Sequence, residues 1–133
     1  MVARLQQSGY VALITVLIMG AATATATLVL LFTGLDAQRY ALVEQQAAQA
    51  RNLATACAEE ALQQIRDNTS FTGANSLSLG QGICVYTVTS TGGSTRTIDV
   101  SGTVKGVVKK LKVYVTITSS SISITSWQEV ADA

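Results

Sequence analysis

This chain has no histidine, no proline and only two cysteines, and its charges are sparse: nine basic and eight acidic residues among 133, for a formal charge of +1. Each shortage excludes something. Without histidine there is no imidazole base, no Ser-His-Asp or Cys-His triad, and no ordinary zinc set. Near-zero net charge gives no global attraction to nucleic acid or to anionic lipid. Glu59 and Glu60 are adjacent on a helix and point in different directions, so they are not a paired-carboxylate site. Asp36, Asp67 and Asp99 fall on separate elements, without the spacing of a calcium loop. These gaps predict a chain that is not an enzyme and takes no cofactor or metal. The lack of proline leaves a long helix free to run unbroken.

Charge is missing most completely near the N-terminus, where "YVALITVLIMGAATATATLVLLFTGL" runs from Tyr10 to Leu35 without any. A bilayer core of about 30 Å needs about 20 apolar residues as helix. This run of about 26 rises about 39 Å, and is longer than the apolar stretch of an ordinary signal peptide. Three fates are open to it. The small residues Ala22-Thr23-Ala24 suit signal peptidase, which would leave a mature N-terminus near Thr25 or Thr27 with "LVLLF" still in the membrane. A plain single-pass anchor would hold Arg4 inside by the positive-inside rule. In the third, the polar stretch "MVARLQQSG" (residues 1–9) is a leader and the apolar helix is a retained, working part.

A helical pattern continues from Asp36 to Asp67, with no glycine and mostly Ala, Gln, Leu and Glu. Val43, Ala47, Ala50, Ala54, Cys57, Ala61 and Ile65 recur at steps of three and four and form one narrow stripe of mostly small side chains. The spacing predicts one helix from Tyr10 to about Arg66, about 85 Å long: residues 10–35 apolar and long enough for a membrane, 36–67 amphipathic. Polar turn formers in "RDNTSFTG" end it, and residues 68–81 read as a connecting loop.

From residue 82 to 130 the period becomes two. "GICVYTVTS" puts Cys84, Tyr86 and Val88 on one face, and "TRTIDVSGTV" groups Arg96, Ile98, Val100 and Val104. "VVKKLKVYVTITS" turns Leu111, Val113, Val115 and Ile117 inward, and Lys110, Lys112, Tyr114 and Thr116 outward. "SISITSWQEV" pairs Ile122 with Ile124 and sends Trp127 to the other face unless a bulge intervenes. "TGGS" and Lys105-Gly106 are turn signals. The expected fold is α+β: a long N-terminal helix packed on a four-stranded antiparallel meander, with the helix stripe covering the apolar face. Cys57 on the stripe and Cys84 on the first strand would then meet. Outside the cytoplasm they would oxidise, closing a loop worth about 3–4 kcal/mol; the alternative is two buried thiols. Lys105, Lys109, Lys110 and Lys112 are candidates for phosphate contact with DNA, although lysines on a strand also serve to keep it solvated.

The leader "MVARLQQSG" resembles the class III leader of type IV pilins and pseudopilins, which a dedicated peptidase at the inner face cuts after the glycine. That resemblance implies cleavage between Gly9 and Tyr10 and N-methylation of Tyr10. "SGYVALITVLIMG" is similar to the start of PilX-type minor pilins and K-type pseudopilins. "AAQARNLATACAEEALQQIRD" resembles the PilX-type segment that follows the membrane helix, with its "AxxAxEAAL"-like stretch at Ala54–Leu62. Together these span about half the chain; the sheet half resembles the class in layout and in its closing "SITSWQEV". The implied plan is ladle-like. Val11, Leu13, Ile14, Leu17, Ile18, Leu28, Leu30 and Leu31 would pack in the membrane and then in a filament core. Other pilin subunits, the prepilin peptidase and the assembly platform are the implied partners. The implied location is the inner membrane before assembly and the cell surface or an extracellular filament after it. One departure matters: at the fifth mature position most major pilins carry a glutamate that pairs with a neighbour's N-terminal amine, and here it is Ile14. K-type pseudopilins, at filament tips, also lack it. The resemblance therefore implies a minor or priming subunit of a pilus or secretion pseudopilus, with roles such as adhesion or DNA uptake. The rival is a membrane-anchored extracellular binding domain that never polymerises.

Overall fold

The computed structural model describes residues 2–131, with side chains from residue 7 onward. The Arg4 side chain, on which the positive-inside expectation rests, and those of most of the leader lie outside the described residues. The element order is α1 (Val2–Asp67), β1 (Gly73–Leu79), β2 (Gly82–Gly92), β3 (Thr95–Val104), β4 (Val107–Ile117) and β5 (Ile122–Val130). The chain divides into two units, Met1–Ala41 and Leu42–Ala133.

The first unit is helix throughout its described length. Its threonines would weaken an isolated helix in water by competing for backbone groups. Here they return their hydroxyls to the helix itself. Thr23 donates to the Met19 and Gly20 carbonyls, both at 3.0 Å, and Thr27 to those of Thr23 and Ala24 at 3.1 and 2.8 Å. Thr15 bonds Val11 O, Thr25 reaches Ala22 O at 2.9 Å, and Thr33 reaches Val29 O and Leu30 O at 3.0 Å.

In the second unit, α1 from Ala47 to Asp67 covers one face of an antiparallel sheet of order β1-β2-β3-β4-β5. The sheet has five strands, not four. The additional strand, β1, lies inside the stretch that reads as a loop in the sequence. "GANSLSL" is short, serine-rich and free of β-branched residues, so its own propensity for strand is low. The free edge of β2 supplies its partner, with Leu77 opposite Cys84 and Asn75 opposite Tyr86, and Leu77 packs against the core. The true link between α1 and β1 is only residues 68–72. Asn68 organises it: its N–H bonds Gln64 O, its carbonyl accepts from Phe71 N, and its side chain accepts from Ser70 N.

The core follows the two periodicities. Cys84, Tyr86, Val88, Ile98, Val100, Val104, Leu111, Val113 and Val115 from the sheet are buried with Ala50, Leu53, Ala54, Cys57, Ala58, Ala61 and Ile65 from the helix. Ala47 is half-buried and Val43 is 54% exposed, so the stripe is covered only from Ala47 onward. Leu53 and Ala58 add a second column, because a sheet is wider than one ridge of a helix. Small residues are needed on this face, because β3 comes very close. A Cβ placed on Gly102 would meet Ala50 O and stand 2.9 Å from Ala54 N. The β3–β4 turn puts both Lys105 and Gly106 at positive φ, 47° and 85°, the arrangement that a two-residue primed hairpin turn requires.

A bulge does intervene in β5. The register shifts between Tyr114, opposite Ser126, and Val115, opposite Ile124, leaving Thr125 as the extra residue. Trp127 is thereby placed opposite Val113 on the helix-side face. Unbroken alternation would have sent it outward.

Candidate functional site

The most unusual surface is the apolar helix itself. Tyr10, Val11, Leu13, Ile14, Leu17, Ile18, Leu28, Leu30 and Leu31 are all exposed, Ile14 the least at 37%. No side chain described between residues 7 and 41 is buried. Soluble monomers seldom leave apolar patches beyond a few hundred Å² in water, so a run of this length needs another environment. By length and composition this helix could cross a membrane. Its polar atoms suit such a setting, because the threonine hydroxyls already have partners within the helix, as lipid would require. At the proposed cleavage point, Gly9 has open space where a Cβ would stand, and Tyr10 beside it is exposed.

Cys57 and Cys84 form a disulfide that joins α1 to β2, with a Cα–Cα distance of 6.2 Å. Neither residue is exposed at all. A second tie lies at the sheet edge. Glu129 of β5 accepts from Arg51 of α1 at 2.8 Å and from Lys109 of β4 at 3.2 Å. The hydrogen bond from Lys109, with the charges of Arg51 and Lys109, holds the Glu129 carboxyl below the ordinary glutamate range against a smaller opposing push from desolvation. A depressed acid stabilises the fold above its unfolded pKa, and that contribution fades as pH falls through the folded value.

The four lysines do not converge. Lys105 occupies the β3–β4 turn, while Lys109 lies on the helix-side face with Glu129. Lys110 and Lys112 alternate with the buried Leu111 and Val113 and so share the outer face; there Lys112 pairs with Asp99 at 3.2 Å. A phosphate backbone would find no single lysine stripe here.

Sequence reasoning grouped Arg96 with apolar residues but gave it no role. Its guanidinium donates to Ser90 Oγ at 3.1 Å and to the carbonyls of Gly93, Thr95 and Thr69 at 3.0, 3.1 and 3.2 Å. It thus fastens the β2–β3 hairpin to the chain leaving α1. The signal was present: an arginine in phase with a buried strand face must find acceptors.

Two of the grooves on the second unit's surface are lined mainly by uncharged residues. One, of about 690 Å³, lies where α1 passes the β1–β2 and β3–β4 turns, and Gln45, Gln46, Gln49, Asn52 and Gln81 give it a carboxamide lining. The other, of about 490 Å³, is on the outer sheet face around Tyr114. No family model, curated protein or solved structure matches this chain.

Proposed function

We propose that the chain is a minor or priming structural subunit of a type IV pilus or related pseudopilus, assembling through its N-terminal helix. The observation that carries this reading is the exposed, uncharged helical surface from Tyr10 to Leu35, preceded by a short polar leader ending in Gly9. After cleavage behind Gly9, the helix rests in the bilayer. It then exchanges lipid for the helices of neighbouring subunits. Gly20, Gly34 and the small residues of Ala22–Thr27 allow backbones to approach where no hydrophobic force acts between helices. The threonine hydroxyls stay bonded within their own helix, so the transfer breaks no hydrogen bond. Head-to-tail contacts that do not close propagate into a helical polymer.

The buried Cys57–Cys84 disulfide supports an oxidising location for the sheet unit, as expected of a domain held outside the cytoplasm. Ile14 supports a minor or priming place, since no carboxylate is available there to dock under a neighbour's amine. The same residue also favours the second reading, an anchored binding domain that never docks at all.

Replacing Gly9 with leucine separates the two. In a filament subunit, Gly9→Leu abolishes processing, the mature N-terminus at Tyr10 disappears from N-terminal sequencing, and the chain leaves the sheared-filament fraction. An anchor gives unchanged migration and no filament signal with either sequence.

A further inference from the structure

The groove around Tyr114 has a chemistry of its own. It lies on the outer face of the sheet near the β2–β3 hairpin, and its wall includes Thr91, Thr95, Thr116, Ser126 and Gln128. No carboxylate lines it, and its one cation, Arg96, is already committed to Ser90 and three carbonyls. An ionic ligand would therefore meet no counter-charge. Most of its exposed wall is nonetheless apolar, with Tyr114 and Val115 in the lining, while the exposed Ile83, Val85 and Val108 lie outside the groove.

What the groove does offer is hydroxyl, amide and one aromatic ring. Thr116 and Thr125 share a hydrogen bond at 3.0 Å, and Thr91 and Thr97 share one at 3.3 Å. Each hydroxyl has one donor and two acceptor positions, so capacity remains on both pairs. Tyr114 is 40% exposed, and Thr97, opposite it in register, is only 5% exposed despite its outer-face position. The tyrosine is thus seated against the sheet and has little freedom to lose on binding. A volume of about 490 Å³ lies within the ordinary range for small-ligand sites.

A neutral molecule with many hydroxyls and a C–H face fits these terms: the C–H groups lie on the negative face of the ring, and the hydroxyls trade bonds with amide and hydroxyl side chains. We propose that this groove binds a neutral saccharide, with Tyr114 as the stacking surface and Thr116, Ser126 and Gln128 as hydrogen-bonding partners. The inference stands whether or not the chain polymerises.

The test uses the full chain in a zwitterionic detergent without a sugar headgroup, read by saturation-transfer NMR against cellobiose, maltotriose and chitobiose, with sialyllactose as a charged probe and empty micelles as control. Saturation of ring protons is expected for at least one neutral sugar. Affinity should fall roughly tenfold in Tyr114→Ala and in Gln128→Ala, and stay unchanged in Ile83→Ser. If circular dichroism shows that Tyr114→Ala has lost its sheet, Tyr114→Leu, which keeps bulk over Thr97, takes its place. Absence of transfer to every neutral sugar overturns the proposal. So does equal transfer in the Tyr114 and Gln128 variants, or binding of sialyllactose alone.

Discussion

Tyr86 is buried on the helix-side face of β2, and its hydroxyl meets no hydrogen-bond partner. A buried hydroxyl left unpaired costs about 1–3 kcal/mol. Removing it relieves that cost, and a phenyl ring preserves the packing. Tyr86→Phe should therefore leave stability unchanged or raise it by about 1 kcal/mol, measured as the denaturant midpoint of the sheet signal. A loss of similar size would show that the hydroxyl is in fact satisfied. Arg96 is the contrast: its guanidinium NH₂ groups have four partners, although Nε has none. Both residues were legible as facing the helix side from their phase along a strand, Tyr86 being buried there and Arg96 half-buried. Whether a polar atom is paired there was not, because the acceptors for Arg96 come from turns and from Thr69, far away in sequence.

At the scale of elements, the alternation of β2, β3 and β4 was open to reading, since each strand has one face buried and one solvated. The edges were not. β1 alternates only over Ser76–Leu79, with two leucines and no β-branched residue to announce a strand, and forms because β2 offers unpaired backbone groups. The bulge at Thr125 inserts one residue and reverses the phase of all that follows it in β5, so Trp127 changes face. The helix stripe was visible as a column of small residues, but its start was not: where a sheet stops covering a helix is a fact of tertiary geometry, and Val43 lies beyond it. The closest approach is at Gly102, and here the small-residue pattern has an energetic consequence. A methyl group on Gly102 has the Ala50 carbonyl and, at 2.9 Å and 3.1 Å, the Ala54 N and Cβ in its way. The first two are backbone and cannot swing aside. Gly102→Ala should push helix from sheet and cost about 3 kcal/mol, and Ala54→Gly should not restore it, because the obstructing carbonyl remains. Thermal unfolding of the two variants and their combination checks this.

For the whole molecule, the two units differ in what holds them. Residues 10–35 are helical with their threonine hydroxyls bonded inside the helix, so an apolar surrounding suffices for them. The unit Leu42–Ala133 has a single-layer sheet, one covering helix segment, and a core rich in alanine. Alanine brings α1 close to β3 but buries little area, and hydrophobic stabilisation scales with that area. The disulfide matters more in such a core than in a thick one. Cys57 and Cys84 are 27 residues apart, and closing that loop is worth about 3–4 kcal/mol on the chain-entropy estimate. Against a total of about 5–15 kcal/mol for a domain, this is a large fraction. The paired Cys57→Ala, Cys84→Ala variant should therefore lower the denaturant midpoint of the sheet unit and make residues 68–131 readily cleaved by protease. The helical signal from residues 10–41, which has no stake in the bond, should persist in the same sample. Equal midpoints for the variant and the oxidised parent would mean that the staple adds nothing. If both signals are lost together, then the stability of the apolar helix depends on the sheet unit, contrary to the separate supports argued for each.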